Sequence, residues 1–319
     1  MRILQKIKKK SKGLSATFEQ IANEWLEYKK SNIKKSTYSN YEYVVTKYLM
    51  PYLKNKKLKQ LKNYDFNCLI DKLSLELSPK TVRDIMCVLR AILRYIEEEY
   101  LYNLKIKKIQ SPKQNSKNII IFTKKEKNKI EQYCLQNNNV KELGILICLN
   151  TGLRIGEICA LKWKNIDLDK RIIYVKNTLE RIYDGNLKKT VIIIDKPKTI
   201  SSIREIPISN KLYNVLKPIE KHYDNEAFFL TGEKGKYTEP RSYQYIYKNI
   251  LKKTKIKSHK FHCLRHSFAS ECIEVGMDVK ALSEILGHSS VNITLNRYVH
   301  PSYNMKKKYL EKIWFLYYI

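Results

Sequence analysis

Lys260-Phe261-His262-Cys263-Leu264-Arg265-His266-Ser267-Phe268-Ala269, followed by Gly287-His288-Ser289-Ser290 and Arg297-Tyr298-Val299-His300, sets the architecture of the C-terminal half. Phe261, Leu264, Phe268 and Cys272 recur at helical spacing and predict a helix over 262–274. His262 and Arg265 stand three apart at its start, on an adjoining face, where both could reach one anion. A second helix is expected over 279–286, stopped by Gly287, and Ser290 can cap a third over 291–299. Tyr298 falls near the end of that third helix, before Pro301 and ten residues after His288.

Upstream the apolar period changes. Ile172-Ile173-Tyr174-Val175, Val191-Ile192-Ile193-Ile194 and Ile203 to Ile208 read as three strands, with Asp184-Gly185-Asn186 and Thr199 to Ser202 as turns. Lys198 would then sit in a hairpin between the second and third strands, with Lys196 beside it. Helices return at about 210–221 and 242–253. Before the strands, Thr123 with Glu126 makes a capping box, and an apolar helix surrounds Leu143 to Leu149. Arg154 opens a short helix after the Thr151-Gly152 turn, with Glu157 one turn later and able to orient its guanidinium. Alone, such a pair is usually an exposed arginine beside a glutamate.

The N-terminal part is helical throughout. Thr17 with Gln20 forms a capping box ahead of Phe18, Ile21, Ala22, Trp25 and Leu26. Ser36 can cap a second helix with Tyr38, Tyr41, Val45, Tyr48 and Leu49 on its face, ended by Pro51. A weaker third pattern runs through Phe66, Leu69, Ile70 and Leu73. The fourth is the clearest, with Ser78 as cap, Pro79 first, then Val82, Ile85, Met86, Leu89, Ile92, Leu93 and Ile96. The expected organisation is a basic tail at 1–13, a small helical bundle over 14–103, a polar linker over 104–118, and a mostly helical domain carrying one small sheet over 119–319. The linker reads as a solvated tether or as a strip lying along phosphates.

A chain of 319 residues with 43% apolar side chains has ample material for two cores. Its net charge of +31, from 62 Lys and Arg against 31 Asp and Glu, predicts a polyanionic partner, nucleic acid before membrane. An AT-rich genome that favours lysine codons would produce part of that excess. Met1 to Gly13 holds six basic residues with no apolar segment behind them, and no apolar run approaches the roughly 20 residues that cross a bilayer. A cytoplasmic, nucleoid-associated bacterial protein is expected. The seven cysteines are scattered without a paired CxxC, so neither disulfides nor a zinc site is expected.

Phosphoryl transfer needs charge on the non-bridging oxygens to be stabilised, often by metals on clustered carboxylates. This chain is poor in acids, and arginine can take that task, because its planar fork donates two parallel hydrogen bonds and stays charged. Five elements occur here in a fixed order. They are Thr151-Gly152-Leu153-Arg154-Ile155-Gly156-Glu157-Ile158 with Leu161-Lys162-Trp163, then Pro197-Lys198-Thr199-Ile200-Ser201-Ser202-Ile203-Arg204, then Lys260 to Ala269, then Leu286-Gly287-His288-Ser289-Ser290, and last Tyr298. Together they resemble the tyrosine recombinase, or phage integrase, family.

The resemblance covers roughly residues 14–310 and implies a mainly α fold with a small antiparallel β-sheet in the catalytic domain. A four-helix SAM-like core-binding domain and that catalytic domain would form a two-domain clamp on DNA. It also implies roles. Arg154 and Arg265 would clamp the scissile phosphate, Glu157 would support Arg154, and His262 would transfer a proton. Lys198, with Lys196 the competing residue, would protonate the leaving 5′ oxygen, and His288 would support the phosphate and position the nucleophile, Tyr298. No metal, cofactor or ATP is implied, because the phosphotyrosyl link keeps the energy of the broken bond. The implied partners are double-stranded DNA attachment sites, further copies in a homo-tetramer on DNA, and an accessory DNA-bending or directionality factor, with no membrane. About 13 residues before the first helix are too few for a separate arm-binding domain. Lys30, Lys34 and Lys35 read equally as phosphate contacts and as surface charge. The apolar tail Trp314 to Ile319 would dock on its own domain or on a neighbouring subunit.

The long hairpin and the P-K-T-x-S-S-x-R string point to the integrase of a prophage or conjugative transposon. An Xer-like resolvase and a DNA-binding protein without cutting activity are the other readings. The last has no use for a positioned phenol.

Overall fold

The computed structural model describes residues 15–100, 112, 119–137, 139–185, 187–197, 200–299, 307, 310 and 311. The basic tail, most of the linker, Lys198 and the segment Trp314 to Ile319 lie outside the described residues. Two compact units emerge, Met1–Lys117 with Arg181–Val191, and Asn118–Glu180 with Ile192–Ile319.

Among its described residues the first unit packs its long helices around one core. α1 (Phe18–Lys30) starts at the Thr17/Gln20 capping box and buries Phe18, Ile21, Ala22, Trp25 and Leu26. α2 (Lys35–Val44) begins after Lys34, which makes no side-chain cap, so Ser36 lies inside the first turn instead of capping it. The helix does not end at Pro51: it passes through a π turn at Val45–Leu49 into Met50–Leu53. A proline has no N–H and its ring crowds the carbonyl four residues back, and the wider π turn relieves that crowding. α3 (Asn63–Glu76) buries Phe66, Leu69 and Leu73. α4 (Pro79–Tyr100) opens where Ser78 Oγ accepts from the Thr81 amide at 3.3 Å, and its whole expected stripe from Val82 to Ile96 is buried. Each such side chain contributes about 1.5–3 kcal/mol through lost apolar exposure. Tyr95 and Tyr100 both donate to the Glu24 carboxylate, at 2.9 and 2.5 Å. Within the same unit, Ser39 donates to the Tyr183 carbonyl at 2.6 Å and the Gly185 amide donates to Glu42 at 3.0 Å.

The second unit opens with α5 (Lys124–Asn137), entered through the Thr123/Glu126 pair, and α6 (Val140–Thr151), whose residues Leu143 to Leu149 are all buried. Gly152 ends α6 at φ +68°, and a Cβ there would meet Phe268 and Leu286 at 2.8 Å. The chain turns directly into α7 (Ile155–Ala160). Strands β1 (Ile166–Asp167), β2 (Ile172–Val175) and β5 (Arg204–Pro207) form an antiparallel sheet in the order β1-β2-β5, with Ile173 opposite Ile206. β3 (Thr178–Asp184) and β4 (Lys189–Asp195) pair separately, with Arg181–Asp184 and Lys189–Val191 counted in the first unit.

The expected strands over 191–194 and 203–208 therefore belong to different sheets. β4 and β5 do not pair as the expected hairpin, and Lys198 itself lies outside the described residues. β3 escapes the period-two pattern because its buried residues, Leu179 and Ile182, are three apart. Helices α8 (Asn210–Glu220), α9 (Pro240–Lys253), α10 (His262–Glu274), α11 (Val279–Leu286) and α12 (Val291–Tyr298) complete the unit. Among the described residues no helix is long and apolar enough to cross a membrane.

Candidate active site

The end of α11 organises the site. A helix leaves its last carbonyls without intrahelical partners and carries negative partial charge there. Three guanidinium groups take three consecutive carbonyls: Arg204 Nε donates to Ile285 at 2.5 Å, Arg265 Nη2 to Leu286 at 2.7 Å, and Arg154 Nη2 to Gly287 at 3.0 Å. Gly287 makes the close approach possible. It sits at φ +65°, and a Cβ would meet Arg204 Cδ and the Ser201 carbonyl at 3.0 Å.

One carboxylate holds two of these cations. Glu157, only 3% exposed, receives Arg204 through both oxygens at 3.0 and 2.9 Å and Arg154 Nη1 at 2.7 Å. Its Oε2 also accepts the Arg154 amide at 2.9 Å. Burial alone would raise its pKa, but Arg204 and then Arg154 outweigh burial and hold the carboxyl at about 2. Glu157 thus holds both Arg154 and Arg204.

Arg265 is the most buried of the three, at 1% exposure. Its Nη1 donates to the Gly152 carbonyl at 2.9 Å, while its buried Nε has no protein partner. Burial and the neighbouring Arg154 lower this guanidinium to about 9, so it remains a cation at neutral pH.

The histidines and the phenol form a second cluster. His262 and His266, one turn apart on α10, meet edge-on with ring centroids 4.5 Å apart. His266 Nδ1 lies 2.8 Å from Tyr298 Oη. His288 Nδ1 lies 2.7 Å from Thr294 Oγ1, and its ring stacks on Tyr298 at 6.4 Å and 7°. Burial, then like-charged neighbours, pushes His262 down to about 3, His266 to about 4 and His288 to about 3. Tyr298 is 7% exposed, and its burial raises the phenol pKa more than Arg265 and Arg297 lower it. Arg265 and Arg297 do not by themselves ionise the phenol.

Of the expected site residues, Arg154, Glu157 and Arg265 lie in the guanidinium cluster, His262, His288 and Tyr298 lie in the second, Arg265 acts on Tyr298 across the two, and Lys198 lies outside the described residues. Residues 111–305 match the phage integrase family profile, and residues 17–74 match the N-terminal SAM-like domain of phage integrases. The chain belongs to the phage integrase family. This enzyme class cuts and rejoins DNA.

Its relatives include a tyrosine recombinase XerC-like protein of Caldanaerobacter subterraneus subsp. tengcongensis, 29% identical over 94% of this chain and 85% of that protein. The integrase of Staphylococcus phage L54a is 26% identical over 98% of both chains, and the ICEBs1 integrase of Bacillus subtilis is 26% identical over 95% of this chain and 84% of that one. The fold is shared with the Tn1549 transposon integrase in complex with a circular intermediate DNA, at TM-score 0.75 and 24% identity over 94% of this chain and all of that one. It is also shared with a lambda integrase tetramer bound to a Holliday junction, at TM-score 0.64 and 17% identity over 91% of this chain and 80% of that one.

Two residues of this integrase-family site were missed by the sequence reading. Arg204 was quoted only as the last letter of a string, and His266 only as the residue after Arg265. The i, i+4 relation of His262 and His266 was available as a signal for the second.

The pKa directions carry a stability prediction. His262, His266 and His288 are held neutral, below the ordinary histidine value of 6.5, so as pH falls under 6.5 the unfolded chain binds protons the fold refuses. Stability is lost from pH 6.5 down to about 3 to 4. Thermal melts between pH 7 and 4 should show a steady fall in Tm, and His262→Asn should make that fall shallower. An unchanged slope would contradict the buried neutral assignment.

Proposed function

We propose that this chain is the site-specific recombinase of a mobile element, which cuts DNA through a 3′-phosphotyrosyl link at Tyr298 and rejoins it. The observation that carries the reading is the placement of the Tyr298 phenol against His266 and His288, with Arg265 of the guanidinium cluster acting on the same phenol. Arg154 and Arg265 bind the non-bridging oxygens of the scissile phosphate. The uncommitted Nε of Arg265 supports this role, because a phosphate oxygen would satisfy a buried donor that otherwise costs about 1–3 kcal/mol. Glu157 fixes Arg154. His288 packs on the phenol, His262 joins the proton transfer through the His266 ring it meets edge-on, and Lys198 protonates the 5′ oxygen.

Residues 14–103 serve as the core-binding domain and 119–319 as the catalytic domain. The partner is double-stranded DNA at attachment sites, bound by four copies in the bacterial cytoplasm, with an accessory bending or directionality factor. The phage and conjugative-element relatives favour a mobile element. The XerC-like relative keeps a dimer resolvase as the second reading.

The test uses nicked duplexes tiled across the DNA on both sides of the protein's own gene, incubated in a magnesium chelator and resolved in SDS. A covalent protein–DNA adduct is expected. Tight binding to these duplexes with no adduct would favour a binding protein without cutting activity. Loss of binding with rising salt is expected under either reading.

A further inference from the structure

We infer that His266 accepts the phenol proton when Tyr298 attacks phosphorus, an assignment that rests on Tyr298 being the nucleophile. Four groups surround the phenol: Arg265, Arg297, His288 and His266. The arginines can only donate hydrogen bonds. His288 has its Nδ1 engaged with Thr294 Oγ1 at 2.7 Å. Arg265 and Arg297 also hydrogen-bond the phenol, but among the described residues only His266 brings a nitrogen able to accept a proton within hydrogen-bond distance of Tyr298 Oη, at 2.8 Å. That is the reach a general base needs.

The surroundings of His266 suit the task. Burial first, then Arg297 and Arg265, push its pKa down to about 4, so the imidazole is neutral at pH 7. With its proton on Nε2, Nδ1 presents a lone pair to the phenol. His262 lies edge-on against the same ring and is neutral as well, so it does not add a positive charge. A base this weak cannot ionise a buried phenol in advance. Transfer has to accompany bond formation, because the phenol oxygen loses its affinity for the proton as the Oη–P bond forms. The arriving phosphate anion also offsets the arginine field that depresses the imidazole.

The step balances within the site. Tyr298 Oη bonds to phosphorus, the P–O5′ bond breaks, the phenol proton goes to His266 Nδ1, and the 5′ oxygen takes a proton from the general acid proposed above, Lys198. On rejoining, the 5′ hydroxyl gives its proton back to the neutral Lys198 amine as it attacks phosphorus, the Oη–P bond breaks, and the imidazolium returns its proton to the phenolate.

The experiment measures single-turnover adduct formation on the nicked duplex from pH 6 to 9 for the full chain. His266→Asn keeps a hydrogen-bonding group beside the phenol but accepts no proton. Its rate should fall by about 10²–10⁴-fold. It should then rise about tenfold per pH unit as the phenol ionises unaided, while the wild-type rate stays flat. A duplex with sulfur in place of the bridging 5′ oxygen needs no proton on its leaving group, so it should rescue Lys198→Ala and leave His266→Asn impaired. A His266→Asn rate within threefold of wild type, or rescue of that variant by sulfur, overturns the assignment. Failure of the nucleophile reading shows separately, as an adduct that survives Tyr298→Phe. A measurement on the unsubstituted protein is independent of variant folding. Nitrogen-15 NMR of labelled histidine should report the Nε2–H tautomer at His266 near pH 7, and an Nδ1–H tautomer overturns the proposal.

Discussion

Arg204→Met is expected to destabilise the protein by about 3–5 kcal/mol, the scale for removing one partner of a buried ion pair. Methionine keeps much of the arginine stem but none of its donors. Glu157 would lose both bonds from Arg204, at 3.0 and 2.9 Å, while remaining buried with Arg154 as its remaining cation. The Ile285 and Ser202 carbonyls would lose their donor too. Glu157 reports the same energy from the other side. Its carboxyl is held at about 2 against an ordinary value of 4.5, which corresponds to about 3 kcal/mol of stability at neutral pH. That share is fully present above pH 4.5 and lost as pH falls toward 2. Glu157→Gln removes the buried charge, so the double variant with Arg204→Met should be less destabilised than the two single effects summed. Urea unfolding of the four proteins measures the cycle. A cost under 1 kcal/mol for Arg204→Met would mean that the triple guanidinium cap on α11 does not hold the site together.

Arg265→Lys is expected to slow adduct formation by about 10²–10³-fold, the usual loss when a preorganised donor is removed from developing charge. A lysine ammonium is a point charge on a flexible stem and cannot donate to the Gly152 and Leu286 carbonyls while also offering the Nε edge. DNA affinity should change only a few-fold, because the charge is kept and a net charge of +31 supplies most of the attraction. Single-turnover rates at saturating nicked DNA separate the two effects. A rate loss under tenfold would remove Arg265 from the phosphate clamp.

How far the sequence is readable follows from what each feature depends on. The last three helices were expected to within a residue, because Ser290 and Gly287 mark their ends locally and α10 carries a regular apolar stripe. Pro51 was read as a stop because a π turn has no short sequence signature. β3 was invisible because its inward residues are three apart. The roles of Arg204 were hidden by distance along the chain, since Glu157 lies 47 positions away and Ile285 lies 81 away. Arg154 with Glu157 and His262 with Arg265 were legible because each pair shares one turn. His266 shares a turn with His262 too, but its partner Tyr298 is 32 residues on and comes into contact only when α12 packs beside α10.

The chain has 24 tyrosines, and a single one of them, Tyr298, is expected to carry the DNA. Protease and nuclease digestion of the SDS-resistant adduct, followed by mass spectrometry, should find the nucleotide remnant on the peptide containing Tyr298 and no adduct at all from Tyr298→Phe. A remnant on any other residue, or an undiminished adduct from Tyr298→Phe, would contradict the convergence of arginines, histidines and phenol on a single phosphorus.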